Sequence, residues 1–206
     1  MPTKAQRARL RELKITPISG RFVEMIPADK RYSADIVALR NEDRSLYFFN
    51  QADKLTVEGQ NAWFDAYLGR EDDIYWAVFN KDGVFLGVTR MYDIDLEKGT
   101  AEAGSTVMHE RFCREAPYAL EACYLPILVM LDELGVREVV THTREDNAKV
   151  RSFNDRLGVV DRQIVMIHGA PYMEAVFTSD SLERDMVDSL LERWEKRVKK
   201  TVEAKR

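Results

Sequence analysis

Three strand-like runs follow one another between residues 74 and 108 with only short polar connections, and this series commits the chain to a fold built on a sheet. Residues 74–79 (IYWAVF) form a dense apolar run. Lys81-Asp82-Gly83 comes next, and Asp-Gly tolerates the positive φ that a tight hairpin needs. Residues 84–92 return, residues 93–99 are polar and close on Lys98-Gly99, and residues 100–108 make the third run. Two short turns between three such runs read as an antiparallel meander.

The flanking segments alternate between helical and extended signals. Residues 22–26 (FVEMI) alternate as a first strand, residues 28–44 are readable as helix, and residues 41–51 (NEDRSLYFFNQ) as an aromatic-rich loop. Thr56 suits a helix N-cap, and the helix it opens stops at Gly69. After the meander, a helix is expected from Pro117 to about Leu134, stopped by Gly135. A β-branched strand follows over 136–143. Asp146 or Asn147 then caps a helix that ends at Gly158, and strands over 159–167 and 172–178 are joined by Gly169-Ala170-Pro171. The order predicts an α+β fold, a largely antiparallel central sheet flanked by helices.

Two extensions flank this core, which covers residues 21–178. Residues 1–20 are an N-terminal arm whose first fourteen residues, basic and mostly polar, read as a frayed terminus rather than a docked helix. Residues 179–206 are an added amphipathic helix. Leu182, Met186, Leu190, Trp194, Val198 and Val202 recur every four residues, with Val187 and Leu191 beside them. Glu192 with Lys196, and Glu195 with Lys199, suit exposed i,i+4 pairing. The stripe is expected to dock on the chain's own sheet; a homodimer through this helix is the second reading.

Composition narrows the function classes. A length of 206 residues with 45% apolar content is enough for one domain with a real core. The net charge of −4 argues against general nucleic-acid binding, which needs a basic face. Cys113 and Cys123 lack metal-ligand spacing and hint at a reducing compartment, and His109, His142 and His168 are scattered, so no metal is expected. With neither a signal core nor a membrane-length apolar run, the chain is expected to be cytoplasmic, with no membrane partner.

The junction from Gly104 to Leu134 (GSTVMHERFCREAPYALEACYLPILVMLDEL) joins a strand end, a short basic loop and an apolar helix. Free N–H groups at a helix start and the helix dipole attract anions, and Arg111 and Arg114 add charge suited to phosphate oxygens.

With this order of elements, three further stretches resemble GNAT-superfamily N-acetyltransferases: RNEDRSLYFFNQ with TVEGQNAWFDAYL at 40–51 and 56–68, YDIDLEKGTAEAG at 92–104, and REDNAKVRSFNDRLG at 144–158. The first is similar to the opening segment of the branch that acetylates amino sugars or protein N-termini. The resemblance implies acetyl-CoA as co-substrate. It implies phosphate contacts from Arg114, Ala116, Tyr118 and Ala119, pantetheine contacts along Thr106, Val107 and Met108, and a cofactor contact at Asn147. It departs from the family pattern at Pro117, where a glycine is usual, and at Asn154, where many members carry an acidic Tyr.

Acetyl transfer requires a proton acceptor for the amine, a polarised thioester carbonyl and a stabilised thiolate. The resemblance points to Glu102 as general base, against a structural pairing with Arg90. His109 is the alternative base, and Tyr92 and Tyr118 are weaker candidates for the acid. Arg40, Tyr47, Phe48, Trp76 and Tyr92 suit an aromatic and cationic acceptor mouth, in which rings stack on a base and Arg pairs a phosphate. The expected reaction is acetyl-CoA-dependent N-acetylation of a primary amine on a small molecule, such as a nucleotide-linked amino sugar. A protein N-terminal amine is the runner-up, and a non-catalytic module binding acyl-CoA or a partner is the rival of another class.

Overall fold

The structure is a computed structural model that describes the backbone of residues 1–203 and the side chains of residues 1–198. The expected stripe position Val202 and the partner Lys199 lie outside the described side chains. Helix α1 (Lys4–Leu13) leads into β1 (Ile18–Ser19) and β2 (Val23–Pro27). Helices α2 (Ser33–Arg40), α3 (Asp43–Phe48) and α4 (Val57–Tyr67) follow. The meander is β3 (Ile74–Asn80), β4 (Phe85–Asp95) and β5 (Thr100–Met108). Then come α5 (Tyr118–Leu128), β6 (Glu138–Arg144), α6 (Ala148–Arg156), β7 (Val160–Ile167), β8 (Ala170–Phe177) and α7 (Arg184–Glu203).

The strands form one sheet in the order β1-β2-β3-β4-β5-β6-β8-β7. Every neighbouring pair is antiparallel except β5 with β6. Helix α5 is the connection between those two, as a parallel pair requires a crossover. The last hairpin turns on His168-Gly169, both at positive φ, one residue earlier than the sequence suggested. Ala170 and Pro171 already belong to β8.

Each sheet face carries its own core. On one face, Ile74, Trp76, Val78 and Met91 pack with Leu10 and Leu13 of α1, Ala122 and Ile127 of α5, and Val187 and Leu191 of α7. On the other, Tyr75, Ala77, Val88 and Val107 pack with Ile36 and Leu39 of α2 and Phe64 and Tyr67 of α4.

The N-terminal residues are a docked helix rather than a frayed arm. Thr3 and Gln6 form a reciprocal capping box, Gln6 donates to the Leu134 carbonyl at 2.8 Å, and Leu13 is fully buried. The aromatic stretch at 41–51 is largely helical, as α3. The C-terminal helix lies on the chain's own core through Val187 and Leu191, and Arg184 clasps Asp132 with two bonds of 2.7 and 2.8 Å.

The junction between α5 and the N-terminal strands is fixed by Glu121. This side chain is 1% exposed and accepts the backbone N–H groups of Arg21, Phe22 and Val23 at 2.6, 2.7 and 2.8 Å. A Cβ on Gly20 would lie 2.5 Å from its carboxyl carbon, so the chain needs glycine there.

Candidate active site

The site begins with a defect in the meander. From Val88 to Arg90, β4 advances two residues while β5 runs from Val107 to Gly104, so β5 carries one residue too many. Ser105, at φ 50, sits in this bulge. A bulge bends its strand and leaves the extra residue outside the ladder. Beyond it β5 parts from β6: the parallel pairing runs from Thr100 with Glu138 only as far as Ala103 with Thr141. The segment from Gly104 to Met108 therefore pairs with β4 alone, and the sheet opens into a wedge at its centre.

Of the residues expected along this segment, Val107 and Met108 are buried and Thr106 is half-buried. The Thr106 hydroxyl bonds the Thr89 hydroxyl at 2.8 Å. These contacts pin the far side of the wedge to β4 and leave the β6-facing backbone of β5 open for an extended ligand.

Below the wedge lies a polar chain that crosses the sheet. Ala101 and Ala103 face the α5 side, so Glu102 between them faces the side of α2 and α4. Its Oε1 accepts the Tyr92 hydroxyl and meets His142 Nδ1 at 2.9 Å. The opposite ring nitrogen, Nε2, lies 3.3 Å from Glu174 Oε2, and Gln163 Nε2 donates to Glu174 Oε1 at 3.1 Å. Both of these contacts to Glu102 fall on Oε1 rather than Oε2. Burial pushes the Tyr92 phenol up, and the Glu102 charge and hydrogen bond add to the shift. A Cβ on Gly104 would lie 2.7 Å from the Tyr92 hydroxyl, so glycine makes room for that ring.

Glu102 does not pair with Arg90. Arg90 binds Asp73, which is 1% exposed, through Nε at 2.7 Å and through Nη2. Burial works against the Arg90 charge, but the bond and charge of Asp73 outweigh it and raise the pKa overall. The guanidinium also lies over the rings of Trp63 and Tyr92, at 5.1 and 4.6 Å from their centroids. Its role is to hold Tyr92 from beneath.

At its N-terminal end α5 starts at Tyr118 with Pro117 as N-cap, and no side chain caps it. The first bond, from Glu121 N–H to the Pro117 carbonyl, is 3.0 Å. The preceding N–H groups of Tyr118, Ala119 and Leu120 are therefore the orphans of the helix start. Pro117 contributes none. Arg114 is exposed nearby, Ala116 is buried and Tyr118 packs partly against the core. Asn147 is an N-cap that accepts the Val150 N–H at 3.3 Å, and Asn154 donates to the Thr143 hydroxyl at 3.3 Å. His109 lies at the end of β5, with Nδ1 3.6 Å from Glu42 and its ring against Phe85 and Phe112, away from Glu102.

The expected acceptor residues divide. Trp76 is fully buried in the core on the opposite face and cannot line a mouth. Its parity on β3 decides this, since Tyr75 and Ala77 are the residues that face α2 and α4. Tyr47 on α3 reaches across the wedge: its hydroxyl donates to Asp146, and the Arg144 guanidinium covers its ring at 4.2 Å. The hydrogen bonds of Arg144, and then of Tyr47, hold the Asp146 carboxyl down to about 2. Phe48 offers its carbonyl to the Tyr172 hydroxyl at 3.5 Å. Arg40 ends α2 with its guanidinium 4.1 Å above the Phe49 ring. Nη2 reaches Gln51 at 3.2 Å, Nε is buried without a partner, and no described carboxylate pairs with Arg40. Burial pulls its pKa down.

Sequence reasoning did not single out His142, Glu174 or Asp73. His142 and Glu174 are neighbours only because β8, not β7, lies beside β6.

A family model described as an acetyltransferase (GNAT) domain matches residues 23–160. No curated protein matches the chain. Among solved structures, a GCN5-related N-acetyltransferase from Brucella melitensis superimposes with a TM-score of 0.69 at 19% identity, over 88% of this chain and 84% of that one. Apo FdhC, a nucleotide-linked sugar GNAT, gives 0.68 at 18% identity, over 85% and 97%. Spermidine N-acetyltransferase from Vibrio cholerae in complex with CoA and spermine gives 0.66 at 10% identity, over 77% and 96%. At these identities the likeness is one of fold. No described helix is long and apolar enough to cross a membrane.

Proposed function

Because this chain belongs to the GNAT acetyltransferase family, whose acyl donor is acetyl-CoA, we propose that it transfers the acetyl group to a primary amine on an anionic small molecule, such as a nucleotide-linked amino sugar. The observation that carries the acceptor class is Arg40. A half-buried guanidinium whose Nε is buried and unpaired, with no described carboxylate beside it, is costly in a free protein, and a substrate phosphate offsets that cost. Its planar fork over Phe49 suits a phosphate bound through two N–H groups.

The wedge residues have matching roles in this reading. The pantetheine arm adds to the open edge of Thr106, Val107 and Met108. Phosphates meet the orphan N–H groups of Tyr118, Ala119 and Leu120, with Arg114 beside them. Without Pro117's N–H, this cradle has one donor fewer than a glycine would give. The acceptor ammonium gives a proton to Glu102. The neutral nitrogen attacks the thioester carbonyl, a C–N bond forms and the C–S bond breaks. The second nitrogen proton leaves with the thiolate, so the products are the acetamide and free coenzyme A.

The test is calorimetry with acetyl-CoA, followed by a thiol-release assay on a nucleoside-diphosphate amino sugar, spermidine and a peptide with a free N-terminus. The sugar nucleotide is the expected substrate. Losing a charge-assisted contact of about 1.5–3 kcal/mol in Arg40→Met should raise KM for it about 10- to 100-fold, while acetyl-CoA binding is unchanged. Absence of acetyl-CoA binding sinks the enzyme reading. Preference for spermidine, or an Arg40→Met variant with unaltered KM, sinks the anionic acceptor.

A further inference from the structure

His142 stands between two carboxylates. Nδ1 faces Glu102 and Nε2 faces Glu174, at 2.9 and 3.3 Å. The groups around it on this face are few. Tyr92 and Arg90 lie beyond Glu102 on β4, and Gln163 holds Glu174 from β7. Arg144, the next residue on the same face of β6, is engaged by Asp146 and Tyr47, with Tyr172 opposite it on β8. Among the described residues, no cation therefore pairs with either carboxylate. A neutral imidazole has one N–H, and two ionised carboxylates only accept. The ring can serve both neighbours only when it holds both protons, or when one carboxyl group is protonated. The chain thus accommodates one mobile proton at any of several sites.

We propose that His142 is the relay that carries the amine proton from Glu102 to Glu174, toward the β7 edge of the sheet. This rests on the amine-acetylation reading. The steps balance. The ammonium proton passes to Glu102; a proton crosses from Glu102 to His142 Nδ1, and the Nε2 proton crosses to Glu174. Glu174 releases it to water, and exchange of the ring protons with water, one lost from Nδ1 and one taken up at Nε2, restores the starting tautomer. No electron is transferred, and Glu102 is an acceptor again for the next turnover. His142 touches no substrate and acts only through Glu102.

The test compares His142→Gln and His142→Ala with the wild type across pH, using the nucleoside-diphosphate amino sugar. General acid–base steps contribute about 10²- to 10⁴-fold, so His142→Gln should lower kcat about 100-fold at neutral pH with unchanged KM for acetyl-CoA. The deficit should narrow at alkaline pH, where the amine arrives already neutral. Added imidazole should restore rate to His142→Ala, a rescue that a merely structural role does not give. Glu174→Gln should show a smaller deficit of the same pH shape. An unchanged pH profile, or a uniform loss without rescue, overturns the relay while leaving Glu102 as base. If the wild type acetylates no amine, the function reading fails, and ¹⁵N NMR of the ring judges the chain by itself. Ring signals of His142 that shift in both Glu102→Gln and Glu174→Gln support it, and signals indifferent to either overturn it.

Discussion

Glu121 offers a sharp test of what holds the sheet to its central helix. Its two oxygens accept the N–H groups of Arg21, Phe22 and Val23, with Phe22 and Val23 sharing Oε2. Glu121→Ala orphans the Phe22 and Val23 N–H groups in a buried setting, at about 1–3 kcal/mol each. The total loss is about 2–6 kcal/mol, a large share of the roughly 5–15 kcal/mol typical of whole domains. Glu121→Gln is more discriminating. Its oxygen can still take the Phe22 and Val23 pair, but its amide presents donors where the Arg21 N–H points. That leaves about 1–3 kcal/mol of loss from one unmet donor. For a chain of this size, each kcal/mol moves Tm by about 2–4 °C. Urea titration, with the slope checked against the wild type, separates the two variants. Gln should fall between wild type and Ala. If Ala costs less than about 0.5 kcal/mol, the range of a surface change, water or a shifted backbone replaces the carboxylate and the bond count is not what secures β2.

Three further outcomes follow from other contacts. Gly104→Ala places a Cβ 2.7 Å from the Tyr92 hydroxyl and 2.9 Å from its Cε1 and should destabilise by about 1–3 kcal/mol; in a Tyr92→Leu background, which removes the whole ring, the same substitution should cost much less in denaturant titrations, and an additive double variant would refute the steric account. Pro117→Gly supplies a missing N–H and should tighten acetyl-CoA about 2- to 10-fold by calorimetry, the worth of one net hydrogen bond; an unchanged Kd means other groups hold the phosphate. Asp146, held at about 2 against an ordinary 3.8, contributes stability that is present above its unfolded value and lost as pH falls toward its folded one. Acid unfolding of Asp146→Asn should therefore be flatter than that of the wild type between about pH 4 and 2, and parallel curves would show that Arg144 and Tyr47 do not favour the charged form.

What could be read in the sequence was local. The meander followed from its two turns, Thr56 and Asn147 do cap their helices, and Gly158 does stop its helix at positive φ, while Gly135, also at positive φ, follows the π-helical turn Val129–Glu133 into which α5 runs. Helix α7 docks more through the flank of its expected stripe than through the stripe itself: Val187 and Leu191 are buried along with Leu182, whereas Met186 and Trp194 pack only partly and Val198 is exposed. The N-terminal helix escaped the same logic, since only Leu10 and Leu13 are buried and the rest of α1 is polar. Its order comes from a capping box and from Gln6 reaching Leu134, a partner 128 residues away.

The polar chain was illegible for a stronger reason. Glu102 and Tyr92 oppose each other in the meander, so their contact follows from the hairpin. His142 joins them only because β6 lies parallel to β5, and Glu174 joins only because β8 inserts between β6 and β7. A hairpin of β7 and β8 that met β6 through β7 would leave the same residues with the same periodicity and no such chain of contacts. Strand order is set by which edge the α6 connection reaches, a long-range choice that no spacing records. The wedge has the same origin: the Ser105 bulge turns β5 away just where its parallel pairing with β6 ends at Ala103. Chemistry is thus gathered where the sheet stops being regular. The elements around that break were readable, while the contacts across it depend on the order in which distant strands assemble.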